Sequence, residues 1–381
     1  MEPLAFEDKK HKDFRKTVKK FIEEEVSPNA LEWEKTRHIP LNLLKKLSNE
    51  GLTGLSLPKE VGGKNEDFWH EVILAEELAQ SRTLGWALSI LVQTNMVAPL
   101  IFQLGNKKQK ENILKPALSG EFYLALAVTD PSSGSDLAST TTTALPDGES
   151  YVLNGEKRYI TNGSVANYLV VLARTKNDKD IWSLGLFLIP ADIKGIKRER
   201  LITSGLKTSD TASIVFKDCV IPKENALGDS TRGFLYLLRG LQRERLIGAV
   251  ALNSLALYVW EDTLIFLQNR HRFGEPLSKK QVIRHRMIEL RTNIEAARQF
   301  TYSVCDAFAR EKSVDKEILM LKMYSYENCQ KVVDECIHLR GAEGFLENHW
   351  LSHVRQDAQA FSLAAGSAEI IRDLLAGMFK M

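Results

Sequence analysis

The stretch "GLQRERLIGA", residues 240–249, puts a carboxylate where a helix would bury apolar groups. Helical steps from Glu244 land on Leu237, Leu241, Gly248, Ala251 and Leu255, so the acid lies on an apolar stripe. Its neighbours three and four residues away are Leu241, Ile247, Gly240 and Gly248, none of which can pair with it. An acid held this way has two uses. Burial can raise its pKa so that it serves as a general base near neutral pH, or it can be half of an ion pair with an arginine from another helix. Gly240 and Gly248 would leave clearance beside the carboxylate for a substrate.

Three other stretches carry side chains capable of chemistry. "AVTDPSSGSDLAST" (127–140) concentrates hydroxyls and small residues, and is either a plain loop or a set of donors fitted around a polar, planar ligand. "GEKRYITNG" (155–163) reads as a strand ending in an Asn-Gly hairpin turn. His349 and His353 in "HWLSH" are four apart and could share a helix face with Asp357. No glutamate follows the first histidine, so the expectation is that no metal binds. Neither G-x-G-x-x-G after a strand nor G-x-x-x-x-G-K-[ST] occurs, so a nucleotide cofactor would need another mode of grip.

The segments that must position these groups change character twice. Residues 1–120 read as helices: Phe14, Val18, Phe21 and Ile22 share one face, and "PLNLLKKLSNEG" opens on proline and closes at Gly51. Residues 121–230 break into short β-prone runs, such as "NYLVVLART" and "SIVFKDCVIP", spaced as in an antiparallel sandwich or barrel. Residues 231–381 return to long helical periodicity and predict a four-helix bundle.

Composition narrows the setting. A net charge of +2 argues against a nucleic-acid binder, although "NRHRFG" (269–274) and "KKQVIRHR" (279–286) are basic enough to meet an acidic partner. No run of eighteen apolar residues occurs, so no membrane span is expected, and the N-terminus lacks the apolar core of a secretory signal. Cys219, Cys305, Cys329 and Cys336 form no C-x-x-C pair and read as core residues, in keeping with a cytoplasmic location.

Taken in order, "TDPSSGSD", "LNGEKRYITNG", "VFKDCVIPKENALG", "NRHRFGEPLSKKQ", "LRGAEGF" and "AAGSAEIIR" make the whole chain resemble the acyl-CoA dehydrogenase superfamily. The resemblance implies a mainly α fold with a β middle domain: helical N-terminal domain, β-sandwich or barrel, and C-terminal four-helix bundle. It also implies FAD bound between the subunits of a homotetramer. Carried over by position, Thr129, Ser135, Tyr159 and Thr161 would line the isoalloxazine. Arg270, Phe273 and Gln281 would grip the pyrophosphate and adenine end from a neighbouring subunit, with His338 and Ala342 near the dinucleotide. Ser367 and Glu369 would lie near the flavin.

Departures from the family pattern carry information. His338, Ala342, Arg284 and Gln356 stand where the family more often has glutamine, glycine, glutamine and arginine, and Tyr159 replaces a tryptophan. Most members have their catalytic glutamate immediately before the glycine of "SLAAGSAEI"; here that residue is Ala365, preceded by Ala364 where an aromatic is common. A minority, including isovaleryl- and long-chain-type enzymes, uses a glutamate on the helix that opens the bundle, in a pattern like "ERL", and Glu244 matches it. Prolyl-carrier-protein dehydrogenases and oxidases share this trait.

The resemblance therefore implies FAD-dependent α,β-dehydrogenation of an acyl thioester, with Glu244 as base and Leu241, Gly248, Ala364 and Ala365 around the substrate. The favoured thioester is L-prolyl on an acyl or peptidyl carrier protein, giving a dehydroproline in natural-product biosynthesis. The alternatives are a branched-chain acyl-CoA dehydrogenase of the isovaleryl type and a non-catalytic flavin-binding scaffold. The electron acceptor would be an electron-transfer flavoprotein or oxygen.

Overall fold

The computed structural model describes residues 8–381. The leader reading rests partly on residues 1–7, which lie outside the described residues. The chain opens with α1 (Lys9–Phe21), α2 (Ala30–Thr36), α3 (Leu43–Asn49), α4 (Phe68–Leu78), α5 (Leu84–Leu91), α6 (Ala98–Leu104), α7 (Lys107–Gln109) and α8 (Lys115–Leu118). Wide helical turns at Ile22–Val26, Val92–Val97 and Lys110–Leu114 extend α1 and join α5 to α6 and α7 to α8. Aspartates cap α1 and α4: Asp8 accepts from the His11 N–H and Asp67 from the His70 N–H.

Seven strands follow: β1 (Leu124–Ala127), β2 (Thr143–Asp147), β3 (Ser150–Ile160), β4 (Tyr168–Arg174), β5 (Leu184–Pro190), β6 (Ile196–Arg200) and β7 (Ala212–Pro222). They form one sheet in the order β1-β4-β2-β3-β7-β6, with β5 also paired to β4. The expected all-antiparallel pattern is broken at β1–β4, which is parallel, with Leu124 opposite Tyr168. β4 explains its own uninterrupted apolar run "LVVLA". Val170 and Leu172 pack toward the N-terminal helices, while Leu169, Val171 and Ala173 fill the interior of the β unit.

The bundle consists of α9 (Gly233–Asn269), the hairpin β8 (His271–Arg272) and β9 (Glu275–Pro276), α10 (Gln281–Ala309) and α11 (Asp315–Arg340), followed by α12 (Trp350–Leu363) and α13 (Ala368–Met378). Where one short final helix was expected, two occur. Ala365 (φ +53°) and Gly366 (φ +99°) are both left-handed and break the helix between them. α9 is long because nothing in it stops a helix: it contains no proline and is rich in leucine and alanine, and it packs on α4, α10 and α11.

One core cluster joins α1, α4 and α5 to the bundle, and a second joins α6, the β4 and β5 face and Leu237 and Leu241 of α9. Leu84–Leu104 and Gly233–Asn269 are long and apolar enough to cross a membrane by length and composition. The run-length criterion had missed both; each is mostly buried within the fold, as core helices are. All four cysteines are buried and free.

Candidate active site

Of three consecutive residues of α9, the outer two are tied to other parts of the chain and the middle one is not. Arg243 donates to both carboxylate oxygens of Glu71 on α4 (Nε to Oε2 3.0 Å) and to Ser56 Oγ (2.8 Å). Arg245 Nε donates to the carbonyl of Ala365 (3.0 Å) in the bend between α12 and α13. Glu244 lies between them, with Oε2 buried and without a hydrogen-bond partner.

The alternative of a buried arginine pair from another helix is not found among the described residues. The nearby charges are Arg245 and Lys322 of α11. Both have their donors engaged by the same bend, Lys322 Nζ reaching the carbonyls of Ala364 and of Gly366 (2.7 Å). Burial pushes the Glu244 carboxyl above its ordinary range, and Lys322 and Arg245 partly oppose this. Burial also pushes Lys322 down to about 8. The result is a buried acid with a free oxygen, its pKa raised by burial, on the helix whose Arg245 is tied to the bend.

Leu241 and the half-buried Ala365 belong to one apolar cluster, and Ala364 accepts from Lys322, a charged neighbour of Glu244. The two glycines do not form an open wall. A Cβ at Gly240 would lie 3.4 Å from Leu100 Cδ2 and one at Gly248 3.8 Å from Phe361 Cδ1. Each position therefore has room for a methyl group at ordinary contact with α6 or α12, a small clearance beside α9. Ser367 caps α13 with its own oxygen, and its backbone N–H stands at the exposed start of that helix.

The two β-unit loops are stapled together by a pair that sequence reasoning passed over. Lys157 Nζ is fully buried against Asp130 and donates to Val128 O (2.7 Å), while Asp130 also accepts from Thr142 N (2.8 Å). Burial would push Asp130 up, but Lys157 and the Thr141 and Thr142 N–H groups hold it below its ordinary value. Arg158 N donates to Thr129 O (2.8 Å), bringing Thr129 beside the strand that carries Tyr159 and leads into Thr161.

Tyr159 is 62% exposed although its backbone is left-handed (φ +62°), with the Arg158 guanidinium 5.5 Å from its ring centre. Ser135 is exposed, and Ser133 Oγ in the same loop is buried with no partner. An exposed aromatic on strained backbone beside an orphaned hydroxyl fits a planar, hydrogen-bonding ligand such as a flavin.

Arg270, Phe273 and Gln281 cluster at the β8–β9 hairpin and are exposed, Phe273 by 93% with φ +54°. His338, Ala342 and Glu369 are exposed as well. Exposure of an apolar hairpin tip fits a group completed by another subunit.

Two expectations change. Asn162–Gly163 does not close a hairpin, because β3 pairs with β2 and β7. Asn162 is instead buried, donating to Ser89 O and Leu124 O (both 3.1 Å) and locking α5 to the sheet. The 349/353/357 set is dispersed over separate partners: His349 faces Arg340 (3.4 Å), His353 contacts Lys207 Nζ (3.2 Å), and Asp357 accepts from Leu206 N (2.6 Å). Lys322 and Lys157 are the residues the sequence reading missed. Each sits on an otherwise apolar face, Lys322 with Ile318, Leu319 and Cys329, the same signal that exposed Glu244.

Three family models match in chain order: "Acyl-CoA dehydrogenase, N-terminal domain" over residues 8–121, "middle domain" over 125–219 and "C-terminal domain" over 231–378. The chain is 31% identical over 369 residues to the mitochondrial long-chain specific acyl-CoA dehydrogenase of Sus scrofa, covering 96% of this chain and 85% of that one. It is similar to the crystal structure of an acyl-CoA dehydrogenase from Geobacillus kaustophilus at TM-score 0.96 and 31% identity, covering 99% and 100% of the two chains. The prolyl acyl carrier protein oxidase AnaB shares the fold at TM-score 0.94 and 24% identity, covering 98% and 100%.

Proposed function

Because the chain belongs to the acyl-CoA dehydrogenase family, FAD-dependent oxidoreductases that act on acyl thioesters, we propose that Glu244 is the base that removes the substrate's α-proton. The observation that carries this reading is the buried, unpartnered Glu244 Oε2 beside Ala365, which has no proton-accepting side chain.

An α-proton beside a thioester is weakly acidic, so its removal needs a base matched to neutral pH and donors for the developing oxyanion. Burial moves Glu244 upward from the ordinary carboxylate range, in the direction the first requires. The Ser367 N–H at the start of α13 supplies a donor for the second, aided by the positive end of the helix dipole. Arg245 and Lys322 hold the bend that carries Ser367 at a fixed distance from α9. They also keep positive charge near Glu244 without protonating it permanently.

FAD, when bound, supplies the acceptor for the hydride that leaves the β-carbon. Thr129, Ser135, Tyr159 and Thr161, with Ser367 and Glu369, would hold its ring. Arg270, Phe273, Gln281, His338 and Ala342 would hold the remainder across a homotetramer interface.

For the acyl group, the favoured substrate is L-prolyl on a carrier protein. The small side chains of Ala364 and Ala365 support a compact cyclic group, and exposed Arg284 and Arg286 support an acidic carrier. A free acyl-CoA is the second reading, supported by the 31% identity to a long-chain acyl-CoA dehydrogenase. The flavin would then be reoxidised by an electron-transfer flavoprotein or oxygen.

The deciding experiment mixes flavin-loaded protein anaerobically with prolyl-carrier protein and, separately, isovaleryl-CoA, and follows flavin absorbance. Bleaching by the carrier-bound prolyl group alone is the expected result, with mass measurement counting the hydrogens lost. Glu244→Gln should slow bleaching by at least about 10²–10⁴-fold. An unchanged rate in Glu244→Gln would sink the base assignment, and no bleaching by any thioester would point to a scaffold.

A further inference from the structure

Far from Glu244 along the chain, two helices begin with the same four-residue device. "DKKH" (8–11) opens α1 and "DFWH" (67–70) opens α4, each with an aspartate cap and a histidine three residues later. The fold brings the two openings together. The rings of His11 and His70 lie with centroids 4.8 Å apart, and both residues are buried, 5% and 2% exposed.

Asp67 stands between them. Its oxygens lie 3.0 Å and 3.1 Å from His11 Nε2 and 2.8 Å from His70 Nδ1. The far nitrogens face carboxylates as well: His11 Nδ1 lies 3.1 Å from Asp8 Oδ1, and His70 Nε2 3.6 Å from Glu66 Oε2. A neutral imidazole has one N–H, yet each of these rings presents a carboxylate oxygen to both nitrogens. The second contact on each ring is satisfied either by an imidazolium, which donates from both nitrogens, or by a cation lying between nitrogen and carboxylate oxygen.

We propose that His11, Asp67 and His70 form a divalent-metal site, with zinc as the fitting ion. Two imidazoles and one carboxylate on helix starts are zinc ligands, and their ligating atoms all lie within 4.8 Å of one another. Tetrahedral bonds of about 2.0–2.1 Å put ligand atoms about 3.3 Å apart, so small side-chain shifts convert these contacts into coordination.

The metal takes His11 Nε2, an Asp67 oxygen and His70 Nδ1. The remaining N–H of each ring then donates outward, His11 to Asp8 and His70 toward Glu66, the carboxylate backing that metal-bound histidines normally have. Binding displaces protons from the ring nitrogens that face Asp67. Asp8, Asp67 and Glu66 place three carboxylates on the two rings, and Glu66 is also paired with Lys10. His70 and Glu66 line an open cleft of about 630 Å³, which gives the ion a route in and leaves water for the fourth position. The ion would fasten the start of α1 to α4, the helix whose Glu71 holds Arg243 next to Glu244.

The test uses flavin-loaded full-length protein with any histidine tag removed, stripped by chelator and gel filtration. Zinc is titrated against a chromogenic chelator, and cobalt(II) serves as spectroscopic probe. One equivalent per chain at micromolar affinity or tighter is expected, with visible d–d bands of low-coordinate cobalt. Asp67→Asn retains an oxygen for capping α4, and with His11→Gln it should abolish the bands. Asp8→Asn should weaken zinc by about 10–100-fold. Absence of binding in the wild-type protein, or binding that Asp67→Asn and His11→Gln leave unchanged, overturns the site.

Discussion

Arg245 Nε donates to the Ala365 carbonyl at 3.0 Å, so the residue next to Glu244 fixes the backbone of the bend between α12 and α13. Arg245 ties α9 to the α12–α13 bend, and Lys322 ties the same bend to α11.

The pH dependence of Glu244 follows from burial, which raises its carboxyl above the ordinary 4.5. In the interval between 4.5 and the raised value the folded protein holds a proton that the unfolded chain has released, so stability falls as pH rises through it. Glu244→Gln removes that slope. Urea unfolding should show the two proteins equally stable near about pH 4 and the glutamine variant more stable on a plateau above the folded pKa. Turnover of the wild-type enzyme should fail on the acid side of the same pH. A constant stability difference across the range would contradict the raised value.

Lys322→Met removes a positive neighbour of Glu244 and the donor to two carbonyls of the bend. Glu244 should then titrate still higher, moving the acid limb of the rate profile to higher pH. The unpaired carbonyls should cost about 1–3 kcal/mol each where they stay buried. Lys322→Arg should recover most of both effects. A rate profile that shifts only in height, with its acid limb unmoved, would mean Lys322 is structural alone.

How much of this was legible in the sequence differs residue by residue. Glu244 could be found because helical periodicity is local, and an acid on an apolar stripe stands out. Lys322 sends the same signal from α11, but its meaning depends on α11 packing against α9, a tertiary fact that no window of sequence contains. Asn162–Gly163 announced a turn correctly and misled about the partner. Asn-Gly specifies local backbone, whereas the strand β3 joins is chosen by burial on both of its edges. The α–β–α order was visible in texture. The parallel β1–β4 pair was not, because strand direction leaves no mark on alternation.

The Asp130–Lys157 pair predicts a localised loss. Removing one partner of a buried ion pair costs about 3–5 kcal/mol because the other charge is stranded. Lys157→Met should destabilise by that order and, since the pair joins the Thr129 loop to the strand bearing Tyr159, lower flavin retention on gel filtration. The double variant Asp130→Asn/Lys157→Met should recover part of the stability. Full flavin retention in Lys157→Met would show that the staple is irrelevant to the cofactor.

Asp357 sits where all three parts of the chain meet, accepting from Leu206 N while Glu34 of α2 accepts from Thr83 Oγ1 (2.8 Å) and Thr208 Oγ1 (3.0 Å). Burial first, and then the charge of Glu34, push Asp357 up to about 8. Its folded pKa is raised from 3.8, so the folded state carries an extra proton between those values and loses stability as pH rises toward 8. Asn at this position keeps the oxygen for Leu206 N and removes the titration. Melting temperatures measured from pH 5 to 9 should therefore decline for the wild type toward the alkaline end and decline less for Asp357→Asn. Parallel curves for the two proteins would contradict the raised value at Asp357.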